Sequence, residues 1–284
     1  MCPDFGEYCY EEKWIDEEYG FVCEGMNVKT MILCGGQGTR MREETEFRPK
    51  PLVEIGGRPI LWHIMKMYAQ HGFSDFILCL GYRGSMIKEY FLSYEAMNHD
   101  FTLTLGSKEA IELHGKTEES FTVTLAETGL ATMTGGRVRR AAQYLKEDDV
   151  FMLTYGDGVA DVDLRQLVAF HKQHGKLATV TVVRPTSRFG VLDVSENGVV
   201  TQFAEKPLSL NWTSAGFFVL DRRVVDLLDG DECVFETGPL ERLVAAEQLV
   251  AFRHDGFFFP MDTYREYLFL NQLWDNHQAP WKSW

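Results

Sequence analysis

From residue 29 onward, short apolar runs alternate with amphipathic stretches. Residues 29–34, 75–80, 150–155 and 178–183 are compact apolar runs of strand length. Between them lie helical patterns. Pro59 suits a helix's first position, Ile60, Leu61, Ile64, Met65 and Tyr68 form one apolar face, and Gly72 ends the helix near residue 71. Residues 85–91 follow with Ser85 as N-cap, then 138–145 and 164–174. Residues 101–105 and 123–127 read as strands around a polar excursion at 106–120. After 184 the strands shorten to 190–194, 199–203 and 215–220, with Gly198 turning a hairpin. Helices at 222–228 and 239–247, a strand at 249–254 and a last helix ending near 274 complete the chain. The β-α-β alternation predicts an α/β fold: an open, mostly parallel sheet with right-handed crossovers, a smaller β-rich part and C-terminal helices.

The bulk numbers narrow the class. A chain of 284 residues with 45% hydrophobic content makes one large domain with small additions, and no internal repeat or linker divides it. The net charge of −14 argues against general nucleic-acid binding. There is no apolar run of membrane-spanning length and no signal peptide, so the expected location is cytoplasmic. Six cysteines without a C-x-x-C pair read as free thiols, Cys34 and Cys79 as small core residues. Residues 1–26 carry eight acids against one lysine, half the total charge, with aromatics interspersed. They read as a poorly ordered extension or an over-long start before Met26; a partner-binding arm is the alternative.

Chemistry concentrates where strands end. The strand at 29–34 runs into Gly35-Gly36-Gln37-Gly38-Thr39-Arg40, and Pro49-Lys50-Pro51 follows. Glycines let backbone amides approach phosphate oxygens, Thr39 adds a hydroxyl and Arg40 a forked cation. The prolines stiffen the chain around the Lys50 ammonium, as stabilising charge at a reacting phosphorus requires. A dinucleotide fingerprint would need a glycine at Met41, and a P-loop needs Gly-Lys-Ser/Thr. Asp157, between Gly156 and Gly158 at another strand end, suits a divalent cation or a plain turn. Asp262 reads as a second carboxylate or as an N-cap. Asp161 and Asp163 read as solvated or helix-capping, and Glu205-Lys206-Pro207 as a phosphate clamp or a surface turn. Arg188-Phe189-Gly190 offers a cation and room for a ring. His63, His71 and His171 lie in helix patterns and read as structural or exposed rather than catalytic.

The glycine loop with its downstream Pro-Lys-Pro resembles the signature of the sugar-phosphate nucleotidyltransferases. Over nearly all of 28–284 the chain resembles the glucose-1-phosphate cytidylyltransferase branch. The stretches that carry this are 50–57, 59–67, Gly81-Tyr82 with 87–91, Met133-Thr-Gly-Gly-Arg137, Thr154-Tyr-Gly-Asp-Gly-Val-Ala-Asp161, Pro260-Met-Asp-Thr263 and Ala279-Pro-Trp-Lys282. The resemblance implies a Rossmann-like sheet with a nucleotide-binding part at about 27–183 and a sugar-phosphate-binding part at about 184–284. It implies CTP phosphates held by Leu33, Gly35, Gly36, Gly38, Thr39 and Arg40, with Lys50 at the α-phosphate, and a nucleotide pocket lined by Thr128, Gly129, Gly135 and Gly136. Tyr155, Gly190, Glu205, Lys206 and Ser214 would hold the sugar phosphate, and Asp157 and Asp262 would bind Mg²⁺. Arg40, Lys50 and Asp157 would be catalytic. The implied reaction converts CTP and α-D-glucose 1-phosphate to CDP-glucose and pyrophosphate. It implies a homo-oligomer feeding a CDP-glucose dehydratase in O-antigen and lipopolysaccharide synthesis. Ser214-Ala215-Gly216 stands where that family has Asn-Gly-Gly, which bears on the sugar. A glycosyltransferase, an enzyme for another NTP or sugar 1-phosphate, and a non-catalytic nucleotide-binding paralogue are the competing readings.

Overall fold

The computed structural model describes residues 28–106, 111–115, 119–145, 148–187 and 189–284. The extension at 1–26 and Arg188 lie outside these residues. The centre is a seven-stranded sheet. In chain order its strands are β1 (Thr30–Cys34), β2 (Asp75–Leu80), β3 (Thr122–Glu127), β4 (Val150–Tyr155), β5 (Ala178–Val183), β6 (Thr213–Asp221) and β7 (Leu249–Arg253). Their spatial order is β7-β5-β6-β4-β1-β2-β3. All neighbours are parallel except β6, which runs antiparallel to both β5 and β4. The expectation of a mostly parallel sheet therefore holds.

Continuous apolar runs make such strands because both faces are covered. Alternate residues serve the two cores: Ile32, Cys34, Phe76, Leu78 and Leu80 enter one, Met31, Leu33, Ile77 and Cys79 the other. The first core takes in α1 (Ile60–Gln70), α2 (Gly84–Leu92), α4 (Leu164–His174) and α6 (Tyr264–Asp275) through Ile64, Ile87, Leu167 and Leu270. The second takes in α3 (Thr134–Ala141) and α5 (Gly238–Ala245) through Val138 and Leu243. Cys34 and Cys79 are buried free thiols, as their pattern predicts.

Several local expectations change. α2 begins at Gly84, with Arg83 in left-handed backbone at φ 51° as its N-cap, so Ser85 is not the cap. α3 begins at Thr134, because its glycines pack against a neighbouring loop and need no apolar side chain. The region expected as a polar excursion holds a hairpin, Asp100–Leu103 paired with Ile111–His114. After 184 the chain returns to the central sheet through β6 and β7. A two-stranded arm, Val191–Val194 with Val200–Ala204, stands apart from that sheet, and Gly198 turns its hairpin at φ 82°.

The C-terminal segment is locked onto the hairpin Glu54–Ile55/Arg58–Pro59, just beyond Lys50. Gly56 has φ 58°, and a Cβ there would lie 1.9 Å from Trp274 Nε1. Its amide donates to Asn271 Oδ1 at 3.0 Å. Beneath lies His63, fully buried. Its Nε2–H donates to the Ile55 carbonyl at 2.8 Å, and Nδ1 accepts from Trp281 Nε1 at 3.4 Å. The rings of Trp274 and Trp62 stand edge-on to it, centroids 4.6 and 5.1 Å away. His63 is structural, as its helix position suggested.

Burial pushes the His63 pKa down from 6.5 to about 4. The unfolded chain takes up a proton near pH 6.5 that folded His63 refuses, so this contribution to stability is full above that pH and is lost as pH falls toward 4. A shift of this size corresponds to ~3 kcal/mol. Urea unfolding measured between pH 7 and 4 is expected to show a shallower pH slope in His63→Gln than in the wild type. Equal slopes would contradict the assignment.

Candidate active site

The chain runs from β1 outward to β2 and β3, then returns to β4 on the other side of β1. The carboxyl end of β1 is thus the point where the strand order reverses, where open α/β sheets form a crevice. The loops after β1 and β4 meet there: the Gly156 amide donates to the Leu33 carbonyl at 3.1 Å. Above them opens a cleft of about 480 Å³, large enough for a nucleotide-sized ligand. Leu33, Gly35, Gly36, Gly38, Thr39, Arg40, Lys50, Tyr155, Asp157 and Asp262 line it together.

Charge converges inside the cleft. The Lys50 ammonium, 11% exposed, donates to Asp157 Oδ2 at 2.6 Å and to Asp262 Oδ1 at 2.7 Å. Arg40 Nη1 donates to Asp262 Oδ2 at 3.1 Å from an exposed position. Burial opposes the lysine's charge, but the two carboxylates outweigh it and raise its pKa. Local backbone fixes each member. Pro49 is extended at φ −67° and leads into the 3-10 turn Lys50–Leu52. Asp157 and Asp262 flank a short ribbon, Gly158–Ala160 paired with Phe258–Pro260, and the Met261 amide donates to the Asp157 carbonyl at 2.8 Å. Thr263, not Asp262, is the N-cap of α6, forming a capping box with Glu266. Glu266 Oε2 also accepts the Asp262 amide at 2.8 Å, which orients Asp262 toward the cleft.

Two carboxylates that already converge on one cation fit a divalent metal, which takes hard oxygen donors and leaves room for phosphate oxygens. Among the described residues no group of three or more His, Cys, Asp or Glu forms a closed metal cage.

The loop glycines divide by role. At Gly36 an added Cβ meets nothing within 4 Å, so its backbone is open to a ligand. Gly38 has φ 62°, and its carbonyl accepts from the buried Thr45 hydroxyl at 2.9 Å. At Gly35 a Cβ would lie 2.2 Å from the Arg137 guanidinium. Arg137 is a cleft residue to which the sequence reading gave no role. Its Nη1 donates to the Leu80 carbonyl at 3.0 Å, to Thr128 Oγ1 at 2.8 Å and to the Gly129 carbonyl at 2.7 Å. Nη2 reaches the Gly35 and Leu130 carbonyls at 3.3 Å. Burial lowers its pKa. A buried cation gathering carbonyls from three loops fixes the cleft floor.

Other expected site residues are placed differently. Thr128 is fully buried and donates to the Leu80 carbonyl at 2.6 Å, behind the cleft wall. Gly129 has φ 94° and supports Arg137. The amides of Gly135 and Gly136 donate to the Cys233 carbonyl at 2.9 and 3.2 Å, and these glycines let α3 approach the 231–233 loop. Gly190 lies against Phe203, while Glu205 and Lys206 are exposed, Lys206 at φ 48°. The Ser214 hydroxyl, also exposed, accepts the Gly216 amide at 3.2 Å. None of these lines the cleft. Asp163 caps α4, as one reading allowed, whereas Asp161 accepts the Phe257 amide at 2.7 Å and contacts His254 Nε2 at 2.9 Å.

A sheet crevice with a glycine loop, an ammonium and two convergent carboxylates defines a protein that handles polyphosphates at phosphorus. The family model for nucleotidyl transferases matches residues 29–252, and the chain belongs to that family. Within it, the chain is 50% identical over 258 residues to the glucose-1-phosphate cytidylyltransferase of Salmonella typhi, an alignment spanning 90% of this chain and 100% of that protein. The same figures hold for the one from Salmonella typhimurium. Among solved structures, UDP-glucose pyrophosphorylase from Acinetobacter baumanii shares the fold at TM-score 0.65 and 18% identity, covering 89% of this chain and 96% of that one. Family membership sets aside the glycosyltransferase reading, and nucleotidyltransferases of this family generally use a divalent metal. No helix of the described residues is long and apolar enough to cross a membrane.

The two neighbouring glycines give a direct check on the loop. Gly35→Ala is expected to destabilise the fold by ~1–3 kcal/mol through the clash with Arg137. Gly36→Ala should stay within ~0.5 kcal/mol and act on nucleotide affinity instead. Thermal melts with and without nucleotide separate the two, and similar melting losses in both variants would contradict the division of roles.

Proposed function

We propose that the protein transfers the cytidylyl group of CTP to α-D-glucose 1-phosphate, giving CDP-glucose and pyrophosphate, with Mg²⁺ as the metal. The observation that carries this is the Lys50 ammonium held on Asp157 and Asp262 beside the glycine loop. The 50% identity to cytidylyltransferases over their whole length supports the substrates.

An oxygen of the sugar 1-phosphate attacks the α-phosphorus of CTP. The new P–O bond forms as the bond to pyrophosphate breaks, and the leaving oxygen carries the charge away. No protein nucleophile is needed, so positioning and charge neutralisation are the chain's task. The glycine-loop backbone and Thr39 hold the triphosphate. Lys50 and Arg40 offset negative charge on its oxygens as it builds. Asp157 and Asp262 hold the metal, which neutralises triphosphate oxygens when bound. In this reading the nucleotide belongs to the part before about residue 184 and the sugar phosphate to the part after it. The enzyme is a cytoplasmic homo-oligomer whose product passes to a CDP-glucose dehydratase in surface-polysaccharide synthesis.

A second reading keeps the chemistry and changes the sugar. It is favoured by Ser214, whose short hydroxyl is engaged by the Gly216 amide. Pyrophosphate release measured with Mg²⁺ across sugar 1-phosphates and NTPs decides between them. Release with CTP and glucose 1-phosphate is expected. Release with another sugar 1-phosphate would move specificity to residues 208–216, and no release with any pair would overturn the assignment.

A further inference from the structure

Glu236 lies on the loop before α5, outside every motif the sequence singled out. Its Oε1 accepts from the Tyr155 hydroxyl, and its Oε2 accepts from the Thr134 hydroxyl at 2.6 Å. Both of those residues line the cleft: Tyr155 from the end of β4, Thr134 from the first turn of α3. Thr134 Oγ1 also accepts the Phe235 amide at 2.9 Å. The Tyr155 ring is seated on Gly216, where φ is 77° and a Cβ would come within 2.5 Å of the ring. Glu236 therefore ties the α3 rim of the cleft to its wall at the end of β4.

The protons can be followed one by one. A hydroxyl has a single hydrogen to donate, and both of these go to Glu236. Toward the cleft, Tyr155 and Thr134 can then only accept. An acceptor-only edge backed by a carboxylate disfavours phosphate oxygens and suits groups that bring their own O–H. The Lys50 and Arg40 side of the cleft has the opposite character. The cleft is thus polarised, one side for phosphates and one for hydroxyls. Tyr155 stands next to Gly156-Asp157 and against Gly216 of β6, and the resemblance counts it among the residues that hold the sugar phosphate.

From this arrangement we infer that Glu236 is a positioning residue which, by holding Tyr155 and Thr134 as acceptors, orients a hydroxyl of the sugar 1-phosphate and so helps choose the sugar. The inference rests on the function proposed above. It does not require Glu236 to touch the substrate.

The test is steady-state kinetics of wild type, Glu236→Ala, Glu236→Gln and Tyr155→Phe with CTP, glucose 1-phosphate and its deoxy analogues, alongside thermal melts. In Glu236→Ala the KM for sugar 1-phosphate is expected to rise about tenfold, with the KM for CTP within about twofold. At least one deoxy analogue should cost the wild type about tenfold in kcat/KM and the variant less than about threefold, because the orienting acceptor is already lost. Glu236→Gln keeps one acceptor oxygen and should fall between. If Glu236→Ala does not fold, Tyr155→Phe carries the same comparison, since it keeps the ring on Gly216 and removes the hydroxyl alone. An identical analogue pattern in wild type and variants overturns the inference, as does an effect confined to CTP or 2′-deoxy-CTP. No turnover by the wild type with any sugar 1-phosphate overturns the functional reading, and this inference with it. Normal wild-type turnover with an unchanged pattern overturns this inference alone.

Discussion

Taking one ammonium group out of water costs several kcal/mol unless opposite charge meets it. At Lys50 two carboxylates do so, drawn from positions 107 and 212 residues further along the chain. Much of the surrounding structure keeps those three groups together. Pro49 and the turn at Lys50–Leu52 fix the lysine. The ribbon Gly158–Ala160/Phe258–Pro260 sets Asp157 beside the approach to Asp262. Glu266 holds the backbone on either side of Asp262's carbonyl by accepting the amides of Asp262 and Thr263. Trp274 and Asn271 dock α6 on the Gly56 turn, so the C-terminal helix cannot shift without disturbing the carboxylate at its start.

The same arrangement explains how an acidic protein binds a polyanion. Half of the net charge of −14 sits in residues 1–26, whereas the cleft gathers Arg40, Lys50 and the buried Arg137 at the end of β1. Local field, not net charge, governs what a cleft receives. Asp157 and Asp262 would oppose a triphosphate on their own. With a cation between them they become the means by which positive charge is held where phosphate oxygens arrive.

Much of this was legible before the fold was known. Continuous apolar runs gave the buried strands 75–80, 150–155 and 178–183 at their observed bounds, because a strand covered on both faces has no polar side to blur its ends. The prolines around Lys50 and the glycines around Asp157 singled out those two, while Asp262 stood as either a second carboxylate or an N-cap. What was not legible depends on contacts distant in sequence. Nothing local marks β6 as antiparallel; its partners lie in β5 and β4. Gly135 and Gly136, which the resemblance places in the nucleotide pocket, are approached by the Cys233 carbonyl. Arg137 closed a motif quoted for the resemblance but drew no role, because its acceptors are backbone carbonyls, which have no sequence signature. Glu236 is visible only beside Tyr155, 81 residues away. Glu205, Lys206 and Ser214, which the resemblance assigned to the sugar phosphate, stand exposed outside the cleft lining.

The central claim is that Lys50, Asp157 and Asp262 act as one unit on the reacting phosphate. The most direct measurement is the rate of CDP-glucose synthesis, and of its reversal by pyrophosphate, in Lys50→Ala and Asp157→Asn, with thermal melts to show that each variant is folded. A shared transition state requires both directions to fall together, by about 10²–10³-fold or more. Near-normal turnover in either direction by a folded variant would contradict the account.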